Sequence, residues 1–162
     1  MPWAEWIDLM ERNRQGIDLP ENRTRSALLA ADVDGQLVGR ASIRFELNDF
    51  LAFRGGHIRY DVISAFRRKG YATDILRHSI VIARNEGVTS LLVTCDDSDV
   101  GSTKVIERCG GVLETTAVDE WDTFPSLLDL KTQIPLPDRR GSQMDTLLEN
   151  WKRRSNDQKY DR

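Results

Sequence analysis

The sequence predicts an α/β (α+β) fold in one domain, and three observations carry that expectation. Two strand-like runs flank Asp34-Gly35, a third run alternates apolar and polar residues, and two strand-then-helix units follow it. A length of 162 residues suits one hydrophobic core.

Taken in order, residues 3–14 place Trp3, Trp6, Ile7 and Met10 at i, i+3, i+4 and i+7, one face of an amphipathic helix that Gly16 stops. Core packing is the expectation for that face, with pocket lining as the alternative. After a polar stretch with Pro20, ALLAADV (27–33) and QLVGRASIRF (36–45) read as strands, joined into a hairpin by Asp34-Gly35, which tolerates positive φ. Residues 46–55 read as a polar and aromatic loop, in which Asn48, Asp49 and Phe50 are candidates for lining a pocket. Over 57–63, Ile58, Tyr60 and Val62 alternate with His57, Arg59 and Asp61, the period of a half-buried strand. The period changes over 71–86, where Ala72, Leu76, Ile80 and Ala83 mark a long helix ended at Gly87. TSLLVTC (89–95) is apolar enough for a strand covered on both faces, and Val100 to Cys109 reads as a helix before Gly110-Gly111. Two closing strands, 112–116 and 126–132, are joined by a loop holding Trp121 and Pro125. Beyond Ile134 the run PLPDRRG breaks the pattern, and Met144, Leu147, Leu148 and Trp151 give one more helical stripe. The domain is therefore expected over 1–134, with a C-terminal helical appendage and polar tail over 135–162.

Apolar residues make up 40% and charged residues 30%, a globular balance that excludes a disordered chain, and no apolar run reaches membrane-spanning length. The opening Met1-Pro2-Trp3 lacks a basic segment followed by an apolar one, so a cytoplasmic location is expected and Cys95 and Cys109 read as free thiols. Two histidines and two cysteines without ligand spacing give no metal site. The net charge of −3 argues against a nucleic-acid partner. Arg139, Arg140, Arg153 and Arg154 are interleaved with Asp138, Asp145, Glu149, Asp157 and Asp161, the pattern of a solvated face. The apolar stripe of the appendage needs cover, from its own domain or from a second copy, so a homodimer is among the expected partners.

The segment that carries chemistry is Ala65-Phe66-Arg67-Arg68-Lys69-Gly70-Tyr71-Ala72-Thr73, where a strand hands over to the long helix through a basic loop. A helix N-terminus offers unpaired N–H groups and a positive dipole end, and Gly70 with Ala72 lets an anion approach the backbone. Neither a Walker A loop nor the three spaced glycines of a dinucleotide fingerprint is present.

Arg67-x-x-Gly70-x-Ala72 resembles the acyl-CoA pyrophosphate loop of the GNAT superfamily of N-acetyltransferases, Gln/Arg-x-x-Gly-x-Gly/Ala between a strand and a helix. The resemblance runs from about Ala27 to Leu130 through RFELNDFL, GHIRYDV, the loop, the strand ending Thr94-Cys95-Asp96, and SDVGSTKVIERCGGVLE. It is closest to a bacterial branch of small-molecule acetyltransferases, although the family's first strand has no counterpart upstream of Trp3. The resemblance implies a mixed, mostly antiparallel central sheet with flanking helices and two splayed strands. It implies acetyl-CoA as co-substrate, a small-molecule amine as acceptor, no membrane partner, and direct acetyl transfer. Carried over by position, Val62 and Ile63 would lie along the pantetheine arm, and Arg67, Arg68, Lys69, Gly70, Tyr71, Ala72 and Thr73 would hold the pyrophosphate.

Three positions depart from the family pattern. Asp99 stands where many members carry an Asn that orients CoA, Ile106 where many carry a tyrosine acid for the leaving thiolate, and Arg68 where glycine is frequent. Ser102 keeps a small polar group beside the cofactor. Asp61 and His57 are the titratable candidates for the amine's base, each with a structural alternative: an ion pair with Arg59 or Arg67 for Asp61, a hydrogen-bonded role for His57. Cys95 would lie near the thioester, but nothing beside it in sequence supplies a base for a covalent route. The departures keep a second function open, a catalytically weak acyl-CoA-binding regulator or sensor.

Overall fold

The structure is a computed structural model and describes residues 1–96, 98–118 and 128–135, with side chains described outside 115–118 and 128–135. Its elements are α1 (Trp3–Gln15), β1 (Ser26–Val33), β2 (Gln36–Arg44), α2 (Asp49–Phe53), β3 (Ile58–Val62), a 3-10 turn (Ser64–Phe66), α3 (Tyr71–Asn85), β4 (Ser90–Asp96), α4 (Val100–Arg108), β5 (Val112–Val118) and β6 (Leu128–Pro135). The expected loop holding Trp121 and Pro125 and the expected appendage beyond Pro135 lie outside the described residues.

The central sheet is divided into two antiparallel halves, ordered β1-β2-β3 and β4-β6-β5. The first half begins with the expected hairpin, in which Asp34 (φ 53) and Gly35 (φ 79) both take the left-handed backbone of a tight primed turn. A register shift lies between Ala31 and Asp32 of β1, while the pairing of β2 with β3 is regular from Ile43–Ile58 to Gly39–Val62. The strand alternation of β3 is therefore intact, with Arg59 and Asp61 exposed and Ile58 buried.

The halves meet at a seam beside His57. The His57 N–H donates to the Leu92 carbonyl at 2.7 Å, and the Leu92 N–H donates to His57 Nδ1 at 2.9 Å. Gly56 permits this approach, since at φ +59 a Cβ there would stand 2.4 Å from the Leu92 oxygen. Beneath the seam, Ile43, Ile58, Leu76, Leu91, Val93 and Ile106 form the core, joining both sheet halves to α3 and α4. Leu91, Leu92 and Val93 are all buried, as a strand covered on both faces requires.

Two expectations need correction. Residues 46–55 are not all loop: Asn48 Oδ1 accepts from the Leu51 N–H at 2.9 Å and caps the five-residue α2. The apolar face of α1 does not pack into the core, for α1 has no buried residue and Trp3 is 72% exposed. Trp3 instead stacks on Trp6, ring centroids 4.9 Å apart.

Candidate active site

The site is built where β3 ends, and the ladder alternation decides which backbone groups are free there. Arg44 donates its N–H to the His57 carbonyl and Ile63 to the Val38 carbonyl, so the His57 carbonyl and the backbone groups of residues 59 and 61, with the Ile63 N–H, face β2. Tyr60 and Val62 consequently direct theirs to the opposite edge, where β4 belongs to the other sheet half and no ladder continues. The Ile63 N–H goes to Val38 at 2.9 Å and its carbonyl accepts the Phe66 N–H at 2.8 Å, so only the second lone pair of that carbonyl is left for a ligand. The Val62 carbonyl is also engaged, by Arg67 Nε at 3.2 Å, which leaves the Val62 N–H facing the seam.

The basic loop then enters α3. Arg68 holds φ 65, a left-handed conformation unusual for a side-chain-bearing residue, and Gly70 follows at φ 90 as the residue before the helix. No side chain caps this end, and a Cβ placed on Gly70 would meet nothing within 4 Å. The N–H groups of Tyr71 and Ala72 and the positive end of the α3 dipole thus open on the side of the loop that carries Arg67, Arg68 and Lys69, all exposed. Lys69 lies over the Phe66 ring at 5.5 Å, and Phe66 meets Tyr71 edge-on at 6.5 Å, which stiffens the loop from behind. Thr73 is buried, and its carbonyl receives the Cys109 thiol at 3.8 Å.

Asp99 and Ser102 are brought to the same region but bond to each other. Asp99 caps α4, its Oδ1 accepting the Ser102 N–H at 2.9 Å and its Oδ2 accepting the Ser102 hydroxyl at 2.7 Å. These bonds from Ser102, with the charge of Arg67 adding a smaller effect, hold the Asp99 carboxyl below its ordinary range. The negative charge at this position is thereby matched to a helix N-terminus. Ile106 is 2% exposed in the core.

The two candidate bases are apart. Asp61 lies on the exposed face of β3, paired with Arg40 Nε at 3.2 Å rather than with Arg59 or Arg67. His57 is half-buried at the seam with Nδ1 accepting from Leu92, which puts the ring proton of the neutral form on Nε2. Burial, with the Arg44 guanidinium reinforcing it, pushes the imidazole below its usual pKa. Arg44 itself donates to the Gly55 and Gly56 carbonyls at 3.3 and 3.2 Å, buttressing the turn that presents His57. Cys95 at the end of β4 meets Thr103 Oγ1 at 3.7 Å.

Sequence reasoning passed over Tyr60, Gly56 and Arg44. Tyr60 had a readable signal, a hydroxyl on the inward parity of an otherwise apolar face. Burial raises its pKa to about 12, the charges of Cys95, Asp99 and Cys109 adding to that and a hydrogen bond with Ser102 opposing it. Among the described residues no group of three or more His, Cys, Asp or Glu side chains is placed to hold a metal ion, and no helix is long and apolar enough to cross a membrane.

The model of the acetyltransferase (GNAT) family matches residues 2–111. Solved structures similar to the chain include the ribosomal-protein-alanine N-acetyltransferase of Brucella melitensis, at 26% identity and TM-score 0.60, covering 82% of this chain and 76% of that one. An N-acetyltransferase from Staphylococcus aureus Mu50 is 20% identical with TM-score 0.61, covering 83% and 75%. The yncA protein of Salmonella typhimurium, solved with its cofactor acetyl-CoA, is 19% identical with TM-score 0.61, covering 88% and 78%. The last two likenesses are of fold. No curated protein matches the chain.

Proposed function

Because the chain belongs to the acetyltransferase (GNAT) family, we propose that it transfers the acetyl group of acetyl-CoA directly to a primary amine of a small molecule. The observation that carries this reading is the uncapped start of α3 behind Gly70, open to ligand and preceded by the exposed Arg67, Arg68 and Lys69. A pyrophosphate fits that chemistry: it accepts hydrogen bonds from first-turn N–H groups and charge-assisted bonds from guanidinium and ammonium groups. Tyr71, Ala72 and Thr73 supply the first turn.

The thioester contributes an acetyl carbon open to attack by a neutral amine. The Val62 N–H at the seam donates to the carbonyl oxygen as negative charge gathers there. In this scheme the amine's proton leaves through water. Asp61 faces away from Val62 and is paired with Arg40, and the Nδ1 lone pair of His57 is engaged by Leu92. Cys95 is not required as a nucleophile. Asp99 and Ser102 shape the wall of the cleft by holding the start of α4, and Arg67, bonded to Val62 and near Asp99, ties that wall to β3.

A thiol-release assay with acetyl-CoA and a panel of amino acids, polyamines, aminoglycosides and a peptide with an N-terminal alanine tests the proposal. Stoichiometric CoA release with a small primary amine is expected. The second reading, an acyl-CoA-binding regulator or sensor, is favoured by the self-paired Asp99 and Ser102 and by the apolar Ile106. It prevails if acetyl-CoA binds in calorimetry while every amine in the panel stays unacetylated.

A further inference from the structure

The register of β2 with β3 sorts their side chains onto two faces. Ile43 and Ile58 turn into the core beneath α3, so Arg40, Ser42 and Arg44 of β2 and Arg59 and Asp61 of β3 lie on the opposite face. Among the described residues that face is open, with Arg40, Arg59 and Asp61 all exposed. Arg59 stands opposite Ser42 and diagonally across from Arg44, a separation that long side chains bridge. Arg44 is half-buried, and burial together with the charge of Arg59 holds its guanidinium below the ordinary pKa. The carboxylate beside them, Asp61, is taken by Arg40 at 3.2 Å, and among the described residues no ion pair reaches Arg44 or Arg59. Two neighbouring guanidiniums, one of them half out of water, repel each other unless an anion sits between them. The chain's net charge of −3 makes this a local feature and not part of a generally basic surface.

We propose, resting on the acetyl-CoA reading, that Arg59 and Arg44 hold an anionic group of the acceptor, a carboxylate or a phosphate, while its amine lies at the seam beside Val62. The loop that opens α3 brings the cofactor to the seam from the α3 side of the sheet, which leaves the open face for the amine. Arg59 stands three residues before Val62, about 10 Å along the strand, a span that one small molecule covers. Arg44 is fixed in place by bonds from Nη1 to the Gly55 and Gly56 carbonyls at 3.3 and 3.2 Å, and its Nε and Nη2 donors remain for a ligand. Arg59, exposed, closes over the same oxygens, and the Ser42 hydroxyl adds a neutral donor between the strands. The acceptor class is therefore an amino acid or an aminoalkyl phosphate. A polyamine would set a second ammonium against two guanidiniums.

The test is Arg59→Gln, a change on the open face that leaves the Arg44 turn in place. Acetylation is measured with glycine, β-alanine, γ-aminobutyrate and ε-aminocaproate, each against its own amide, and with phosphoethanolamine against ethanolamine, all rates referred to the neutral amine. In the wild type the anionic member of at least one pair is expected to exceed its uncharged partner roughly 10- to 100-fold in kcat/KM, the range of a charge-assisted contact, chiefly through KM. Arg59→Gln should bring that ratio within about threefold, and Arg59→Lys should restore part of it. The carboxylate and phosphate pairs separate the two anions. A KM for acetyl-CoA within about twofold in both variants verifies that the fold and the loop are intact. A ratio near one in every pair, a ratio unchanged in Arg59→Gln, or acetylation confined to polyamines or aminoglycosides overturns the anion site and leaves acetyl transfer standing. No CoA release with any amine overturns the acetyl-transfer reading and this proposal with it.

Discussion

Replacing Gly56 with alanine should break the seam on which the site depends. At φ +59 the residue already disfavours a side chain, at a cost of about 1 kcal/mol. The added Cβ would stand 2.4 Å from the Leu92 oxygen, 3.0 Å from its carbon and 3.3 Å from Val93 Cα, all backbone atoms that no rotamer change can clear. Strands β3 and β4 must therefore part, stretching the 2.7 Å bond from His57 to Leu92 and the 2.9 Å return bond to Nδ1. At about 1 kcal/mol for each hydrogen bond, the expected loss is about 2–4 kcal/mol, or roughly 5–15 °C in Tm for a domain of this size. Gly87→Ala is the control, because it has positive φ (+94) but nothing within 4 Å, and it should lose only the conformational part, roughly 2–4 °C. Thermal unfolding of both variants followed by circular dichroism makes the comparison. A Gly56→Ala protein no less stable than Gly87→Ala would refute the close approach of the two halves.

Arg67→Ala removes the bond to the Val62 carbonyl together with one phosphate contact, and calorimetry should find CoA binding weakened about 10- to 100-fold. Asp61→Asn should retain kcat within about twofold, with a pH–rate profile that follows the acceptor amine; a 10²-fold or larger loss with a vanished limb would make Asp61 the base after all. His57 predicts an acid-side instability. Its folded pKa lies below the unfolded value of 6.5, so the unfolded chain binds more protons as pH falls through that value, and stability is full above it and declines below. Urea unfolding across pH 5 to 7 should show this slope in the wild type and less of it in His57→Gln; equal slopes would place the titration elsewhere.

How much of this was legible in the sequence follows from how local each feature is. The hairpin at Asp34-Gly35, the strict alternation in β3 and the stop at Gly87 are set by neighbouring residues, and the structure has them where the patterns place them. The strain at Arg68 was also readable, since a residue replacing glycine in a tight loop inherits its backbone, here φ 65. Helix α2 was missed because five residues are too few for a period, although Asn48 before Asp49 is a cap signal. The outward face of α1 illustrates the limit of periodicity, which marks an apolar stripe but not what covers it.

At the site, the basic loop leading into α3 was legible because its residues are contiguous, from Arg67 to Thr73. The roles of single residues were less so. His57 meets Leu92, 35 residues away, and only the fold brings them together. Which backbone groups of Val62 and Ile63 face the seam follows from hydrogen-bond alternation, a property of the β2–β3 pairing rather than of either residue. Asp99 looked like an anion misplaced beside an anionic ligand until its carboxylate proved to be the cap of α4.

The central claim is that an acyl-CoA pyrophosphate sits at the start of α3, and calorimetric titration of CoA into the wild type and Gly70→Asp tests it most directly. The substituted position faces open space, so the fold should survive with a Tm loss comparable to that of Gly87→Ala, while the new carboxylate occupies the place of the phosphates. The account predicts CoA binding by the wild type and none detectable by the variant. Equal affinity in the two proteins would contradict it.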